Sequence, residues 1–186
     1  MSMEPISLEN YYYMLHPRPV VLIVTLCPNG RVNVMPASWV TPVNDDPPVV
    51  AVAVSDENYT SECLRYCREA TLNIPSEDMA DLVYSLGTVS GREVDKVSRF
   101  NLKLVDSRSV KPPYIDGSLG VIEARVRGEV GVDGVTLFLL DVVAAYAKKG
   151  LFSRWGWDVS KARLLLHGAG RAFYTIGRRV WATRKG

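Results

Sequence analysis

The feature that most constrains the fold is a long two-residue periodicity followed by a hairpin signal. From Glu123 to Val132, charged side chains at 123, 125, 127 and 129 alternate with small or apolar ones at 124, 126, 128 and 130. This period predicts a β-strand with one face towards solvent and the other towards a core. Asp133-Gly134 is typical of a tight hairpin turn. Thr136–Tyr146 is then predicted to be the apolar return strand.

Four shorter segments are also predicted to be strands. The first is a near-continuous β-branched run, VVLIVTLC, which indicates a strand covered on both faces. In the second, Pro36 is expected to end regular pairing or to force a bulge. The four segments are Val20–Cys27, Arg31–Thr41, Val49–Val54 and Thr71–Ile74.

Three helices are predicted between the strands. Tyr59–Glu69 is one, with Asn58 or Thr60 near its N-cap. Ser76 is expected to cap a second, whose apolar residues follow at helical spacing. Ser90-Gly91-Arg92-Glu93 has the spacing of a capping box and predicts the third.

Many strands joined by short turns, with a few helices between them, favour a mainly β fold. We expect a closed or nearly closed antiparallel β-barrel with helical insertions. The 186 residues are predicted to form a single domain, with a core at about residues 11–177 and a basic C-terminal tail at 178–186.

Composition excludes several classes of protein. The chain is 47% hydrophobic and 23% charged, which argues against disorder. A net charge of +2 argues against a nucleic-acid-coating domain. The apolar run Val20–Val24 is too short to span a bilayer. We therefore expect a soluble, cytoplasmic protein with no membrane or nucleic-acid partner.

Several catalytic and metal-binding motifs are missing from the sequence. It contains no phosphate loop, no Rossmann fingerprint, no GxSxG and no HExxH. The three cysteines are expected to be buried, inert thiols, and no metal site is predicted. His16 and His167 are the only histidines, and neither lies in a catalytic motif, so the catalytic residues are unknown at this stage.

Polar and aromatic residues near strand ends are the candidate binding groups. The loop Asn33–Trp39 can hydrogen-bond the edge of a planar ligand, although spacing alone favours a β-bulge with a core tryptophan. Asn58-Tyr59-Thr60 opens a helix and can hold an anion, or simply cap the helix. Lys96 and Arg92 either help to bind that anion or lie on a solvated helix face. The segment His167–Arg171 is a glycine-rich loop before an aromatic strand.

Taken together and in order, six segments resemble the flavin reductase-like, FMN-binding split-barrel family, and within it the flavoredoxin branch. The resemblance runs from about Tyr11 to Gly177. The segments are LHPRPVVLIVT at Leu15–Thr25, NVMPASWVTPVNDDPPVVAVAV at Asn33–Val54, NYTSE at Asn58–Glu62, TLNIPS at Thr71–Ser76, SGREVDK at Ser90–Lys96 and HGAGRAFYTIG at His167–Gly177.

The resemblance implies a homodimeric, antiparallel Greek-key split β-barrel that binds FMN near the subunit interface. It implies three groups of FMN-contacting residues: ring contacts, phosphate contacts, and less securely matched ring neighbours. These are, in turn, Asn33, Ala37, Ser38 and Trp39; Asn58, Thr60 and Lys96; and Phe173 and Tyr174.

One departure from the family pattern affects the predicted function. The family hairpin commonly reads Gly-Asp-His-Thr, whereas Val135 occupies the histidine position here. The leading prediction is an FMN-dependent oxidoreductase that takes electrons from NAD(P)H and passes them to free flavin, ferric complexes or another protein. The alternative is a non-enzymatic FMN-binding electron carrier reduced by a redox protein. A barrel that has lost its cofactor is a third possibility, which Asn33, Thr60 and Lys96 argue against.

Overall fold

The computed structural model describes residues 3–182. Within that range the chain forms fourteen β-strands, three α-helices and two 3-10 helices. The strands are β1 Arg18–Pro19, β2 Val21–Leu26, β3 Val32–Ala37, β4 Val40–Asp45, β5 Pro48–Ser55, β6 Glu69–Ile74, β7 Leu104–Val105, β8 Tyr114–Ile115, β9 Gly120–Val132, β10 Val135–Ala147, β11 Phe152–Ser153, β12 Gly156–Trp157, β13 Leu165–His167 and β14 Phe173–Thr175. The helices are α1 Tyr59–Cys67, α2 Ala80–Gly87 and α3 Lys96–Arg99, with 3-10 helices at Leu8–Leu15 and Glu77–Met79.

The main sheet has seven antiparallel strands in the order β3-β2-β6-β9-β10-β5-β4. Its two edge strands, β3 and β4, are joined by only Ser38 and Trp39. Six strand spacings of about 4.8 Å would separate the edges of a flat sheet by about 29 Å, which two residues cannot span. The sheet must therefore curl into a barrel that is split between β3 and β4. The mainly β, antiparallel fold class is confirmed.

The predicted hairpin is present as β9 and β10, with Asp133 and Gly134 at the turn. Two positions of the predicted pattern are wrong, because Val130 is exposed rather than buried and Glu123 is fully buried rather than solvated. Its carboxylate accepts hydrogen bonds from the backbone N–H groups of Arg108 and Ser109 and from the Tyr146 hydroxyl. Glu123 therefore anchors the loop that precedes β8.

Strand β2 is buried on both faces, as its β-branched sequence predicts. One face packs inside the barrel, where Phe138 and Leu72 are fully buried. The other packs under helix α2 through residues such as Leu86. The expectation that Pro36 disrupts pairing is wrong, since Leu22 pairs with Pro36 in an unbroken register. Strand β3 is an edge strand, where a residue without an N–H can be accommodated.

The first two predicted helices are confirmed as α1 and as the 3-10 turn followed by α2. The third does not start at the Ser90 capping box. Helix α3 starts at Lys96, and Asp95 is its N-cap, accepting hydrogen bonds from the N–H groups of Val97 and Ser98. Arg92 consequently lies in a turn rather than on a helix with Lys96.

The prediction of three inert thiols is wrong, because Cys27 and Cys63 form a disulfide. Cys27 follows β2, and helix α1 packs across β2, which brings Cys63 against it. Both are buried beside Tyr59. Cys67, one turn later on α1, is free. The disulfide therefore fastens α1 to the barrel.

The predicted basic tail extends past the described residues, since Arg184 and Lys185 lie outside them. Between residues 3 and 182, no helix combines the length and the apolar character needed to cross a membrane.

Candidate functional site

Three cavities adjoin one another along the exposed edge of β3. The polar cavity, about 330 Å³, is lined by residues that include Thr60, Gly91 and Lys96. The edge cavity, about 320 Å³, runs along Met35–Trp39 to Val135. The histidine cavity, about 360 Å³, lies between Ser38, His167 and helix α2. They form a continuous groove because each pair of cavities shares lining residues. The polar and edge cavities share Met35 and Asn58, and the edge and histidine cavities share Pro36 to Ser38. The polar and histidine cavities share Gly87 and Thr88.

Helix α1 points its N-terminus into the polar cavity. Asn58 is the N-cap, and its side chain makes no capping hydrogen bond. The first turn of a helix leaves backbone N–H groups without intrahelical partners and carries a partial positive charge. Thr60, in that turn, is buried. This end of the cavity therefore suits an anion, with Glu57 on the exposed rim.

Lys96 supplies a cation to the same cavity. It is only 4% exposed, and its ammonium donates to the carbonyl oxygens of Val34 (2.9 Å) and Leu86 (2.8 Å). Among the described residues no carboxylate forms a salt bridge with it. Burial lowers the pKa of Lys96 from 10.5 to about 8. An ammonium has three donors, so one is available to a ligand.

Asn33, predicted to contact the ring, lines the polar cavity and not the edge cavity, and it positions Thr60. Its amide donates to Thr60 Oγ1 at 2.8 Å, and its buried Oδ1 has no hydrogen-bond partner among the described residues. Gly91 packs directly on this amide, and a Cβ there would lie 2.1 Å from Oδ1. The missing Cβ at Gly91 is thus what allows Asn33 to hold the threonine.

The predicted phosphate-binding residues are therefore brought together in one cavity. Asn58, Thr60 and Lys96 supply helix amides, a hydroxyl and a cation, the donors that a phosphate prefers. The buried, unpaired Lys96 is the specific observation in favour of a dianionic group. These residues fit the phosphate of FMN.

Arg92, one of the two basic residues considered for this role, is occupied elsewhere. Its guanidinium donates to the carbonyl of Glu57, forms a 3.0 Å salt bridge with Glu62 and lies over the Tyr59 ring. It fastens the turn to α1 from outside and does not line the polar cavity.

The edge cavity contains the predicted ring contacts Ala37, Ser38 and Trp39. Trp39 is 46% exposed, so the interpretation of a core tryptophan is wrong. The guanidinium of Arg18 lies 5.3 Å from the centre of its ring. Val135 faces the same cavity, where it adds an apolar surface in place of a polar group.

Beside Ser38, a predicted ring contact, the histidine cavity contains His167, which the sequence did not assign a role. Ser38 Oγ and His167 Nδ1 are 3.1 Å apart, and the His16 and His167 rings are 5.6 Å apart. Arg18 pairs with His167 in the register of β1 and β13. Both histidines of the chain therefore meet beside Ser38. Each histidine lies in a segment that carries the family resemblance, and that position is the sequence signal that could have placed it at the site.

The two less secure ring neighbours are placed differently. Phe173 lines the histidine cavity. Tyr174 is 53% exposed, packs against Gly168 and lines none of the three cavities. No group of three metal-ligating side chains occurs within the described range.

Comparison with known proteins agrees with this geometry. The family model described as "Flavin reductase like domain" matches residues 13–174. The protein YddH of Escherichia coli (strain K12) is 30% identical over 184 residues, covering 96% of this chain and 97% of its own. A flavoredoxin from Methanosarcina acetivorans is 26% identical with a TM-score of 0.86, over 98% of this chain and 97% of that chain.

A second solved structure is that of an FMN-binding protein from Thermus thermophilus with bound 1-cyclohex-2-enone. It is 24% identical with a TM-score of 0.84, over 98% of this chain and 99% of that chain. These likenesses confirm the predicted fold, and the names of the relatives agree with FMN as the predicted cofactor.

Proposed function

The chain belongs to the flavin reductase-like family, and from that premise we propose that it binds FMN and works as an oxidoreductase. The observation that carries the proposal is Lys96, a buried lysine without a carboxylate partner among the described residues, beside the N-terminus of α1. A site built this way is stabilised by a dianionic phosphate. Riboflavin, which lacks the phosphate, cannot supply one.

In the proposed complex the phosphate occupies the polar cavity and the ring system occupies the edge cavity. Thr60 and Lys96 hold the phosphate, and Asn33 fixes Thr60. Ala37, Ser38 and Trp39 face the ring. When bound, FMN supplies the redox chemistry by accepting and releasing electrons, while the protein binds and orients it.

Affinity for FMN relative to riboflavin tests this assignment. Two hydrogen bonds to a charged group, each worth about 1.5–3 kcal/mol, correspond to at least about a hundredfold in affinity. Fluorescence titration should therefore show FMN binding at least about a hundredfold more tightly than riboflavin. Equal affinities would contradict the phosphate site. The purified holoprotein should be yellow.

We further propose NAD(P)H as the electron donor. The alternative, a carrier reduced by a redox protein, is favoured by one observation: Val135 lines the edge cavity where the family histidine would stand. The Val135→His variant separates the two. If the histidine helps to orient the nicotinamide, the variant should speed reduction by up to about a hundredfold, which is about 2.7 kcal/mol.

The measurement is stopped-flow bleaching of bound FMN by NADH and by NADPH, wild type against Val135→His. Fast reduction of the wild type would support the reductase. No reduction of either protein would support the carrier.

We also propose that the protein is a homodimer. Large apolar side chains are exposed on several elements, Trp39 in the groove among them. Others are Leu8, Met14, Phe152, Trp155 and Trp181, which are more than half exposed. Extensive exposed apolar surface favours an interface. A second copy that covered the groove would shield the ring from water.

A further inference from the structure

The Ser38–His167 pair is not needed to hold a phosphate, and its geometry suits proton transfer. His167 Nε2 lies 3.4 Å from the carbonyl oxygen of Gly170, and a carbonyl can only accept. This contact favours the neutral tautomer that carries its hydrogen on Nε2. In the neutral ring, Nδ1 is then left to accept from the Ser38 hydroxyl at 3.1 Å.

Protonation of His167 reverses this hydrogen bond. Nδ1–H would donate to Ser38 Oγ, and the serine hydroxyl would be free to donate to a ligand. The pair thus has two states that differ by one proton, and only one of them offers a donor to the cavity. Histidine is the residue type that exchanges a proton between about pH 5 and 8.

His167 is held rigidly in this position. It pairs with Phe173 across the β13–β14 hairpin, where the N–H of Gly168 also donates to the carbonyl of Ala172 at 2.8 Å. Gly170 has a φ of +57°, a conformation that favours glycine and turns its carbonyl towards the ring. A group that must exchange a proton at a fixed place benefits from such support.

The neighbouring charged groups act differently on His16 and His167. Arg18 is the register partner of His167 and donates to His16 Nε2. Burial, Arg18 and His167 together lower the pKa of His16 below its usual range. Across the cavity stands Tyr84, with Arg171 over its ring. The Arg18 contact and the lowered pKa both disfavour a charged His16, and His167, not His16, lines the cavity.

Tyr11, Tyr12 and Tyr13, on the first 3-10 helix, complete the titratable surroundings of His16 and Arg18. Within residues 3–182 no carboxylate forms a salt bridge or a side-chain hydrogen bond with His16, Arg18 or His167.

The histidine cavity has the size and lining for a small planar ligand. Its walls are mostly apolar, with Val20, Pro36 and Val83 beside the Phe173 and Tyr84 rings. Its polar side chains, other than the tyrosine hydroxyl, are Ser38, Thr88 and His167. Ser38 also lines the edge cavity, so it can reach a ligand in either space. Such a lining suits an uncharged aromatic compound with one oxygen at the serine.

We infer that Ser38 and His167 form a proton-transferring pair for a small, uncharged quinone or aromatic carbonyl compound bound in the histidine cavity as electron acceptor. The inference rests on the proposed function, which supplies reduced flavin as the reductant. With reduced flavin as the two-electron reductant, the acceptor would take a hydride, which leaves the flavin oxidised, and one proton from Ser38. The Ser38 O–H bond breaks as the ligand O–H bond forms, and the Nδ1 proton of His167 passes to Ser38 Oγ. Neutral His167 is then reprotonated from solvent.

The first test is the oxidation of photoreduced holoprotein by menadione, a neutral planar quinone, followed by stopped-flow absorbance between about pH 5 and 8. The wild-type rate should fall as pH rises. His167→Asn should be slower at low pH by about a hundredfold, in the range of general acid catalysis, and its profile should be flat. His16→Asn is the matched control and should keep the wild-type slope.

The second test uses binding alone. Equilibrium dialysis of menadione against the oxidised holoprotein should show affinity that weakens by up to about tenfold as pH rises, because one hydrogen bond is lost. This pH dependence should vanish in His167→Asn and in Ser38→Ala, and persist in His16→Asn. Because menadione does not titrate, any pH dependence belongs to the protein.

Retained FMN colour and melting midpoint show which variants are folded and loaded. A wild-type slope in folded His167→Asn, or a lost slope in His16→Asn, would overturn the inference. If FMN binds but wild-type oxidation is independent of pH, the inference fails and the proposed function stands. If FMN does not bind, the proposed function itself fails. Should His167→Asn not fold, Ser38→Ala decides the outcome, since it cuts the same link.

Discussion

Lys96 carries a charge that the fold must bury before any ligand arrives. Its ammonium is satisfied by two carbonyl oxygens but by no described carboxylate, and burial holds its pKa at about 8. A buried, unpaired charge costs stability in proportion to its lost solvation. In the proposed complex Lys96 binds the phosphate, so the same residue would strengthen cofactor binding and weaken the cofactor-free protein.

The stability of the cofactor-free protein should consequently rise with pH between about 8 and 10.5. In that window the unfolded chain holds the Lys96 proton that the folded chain has lost, and stability increases wherever the unfolded state binds more protons. The full gain is about 3 kcal/mol. Urea unfolding at several pH values measures it. Lys96→Met should lack this rise, and Arg92→Met should keep it; a rise of equal size in Lys96→Met would assign the effect to other groups.

The preference for FMN over riboflavin should weaken above about pH 8. A bound phosphate raises the pKa of Lys96 again, so binding above that pH takes up a proton and loses up to about tenfold in affinity per pH unit. Riboflavin has no phosphate, so its binding does not require Lys96 to take up a proton. The ratio of the FMN and riboflavin affinities therefore reports the contribution of the phosphate alone. Titrations at several pH values should show a falling ratio in wild type. A ratio that stays constant with pH would mean that the phosphate lies elsewhere.

At the scale of elements, the turn before α3 is fitted to strand β3 through Gly91. A Cβ on Gly91 would lie 2.1 Å from Asn33 Oδ1 and 3.2 Å from the Tyr59 ring. The contact joins the turn, the strand and the start of α1, which together form the polar cavity.

Gly91→Ala should therefore displace Asn33 and release Thr60. We expect a loss of about 1–3 kcal/mol in stability from overpacking, and FMN affinity at least about tenfold weaker. Gly128→Ala, where a Cβ meets nothing within 4 Å, is the matched control. Calorimetry and FMN titration on both variants check the prediction. Unchanged affinity in a folded Gly91→Ala protein would show that Asn33 does not position the threonine.

The disulfide fastens α1, which carries the proposed phosphate-binding turn, to the end of β2. It joins Cys27 and Cys63, 36 positions apart, and a cross-link of that span typically stabilises by about 2–4 kcal/mol. A thiol reductant should therefore lower the unfolding midpoint of wild type and of Cys67→Ala. The reductant should not change the unfolding midpoint of Cys63→Ala, because that variant has no cross-link to lose. A reductant-sensitive Cys63→Ala would point to a different pairing.

At the scale of the whole molecule, the split between β3 and β4 leaves open the surface that a second copy would cover in the proposed homodimer. The split leaves the groove edge open and Trp39 half exposed. Sedimentation equilibrium of the holoprotein should give twice the 20.6 kDa chain mass. A stable monomer that retains FMN would contradict the proposed homodimer and leave the ring open to solvent.

Local patterns were predicted well because their causes are local. The hairpin at Asp133-Gly134 follows from turn chemistry, and β2 follows from a run of β-branched residues. Glu123 was misplaced because its partners come from a loop about fifteen residues earlier and from Tyr146. Alternation describes a strand's two faces but carries no information on which loop later covers the outer one.

The sequence by itself determined the fold class and the family, since both depend on short segments whose order along the chain is visible. It also named Asn58, Thr60 and Lys96, which line one cavity. Only the tertiary structure decided the rest. Cys27 meets Cys63 because helix α1 packs across β2, and His167 reaches His16 and Ser38 where β13 pairs with β1. Such contacts depend on which strands pair and which helix covers the sheet. These choices result from packing over the whole chain, so no single segment of the sequence predicts them.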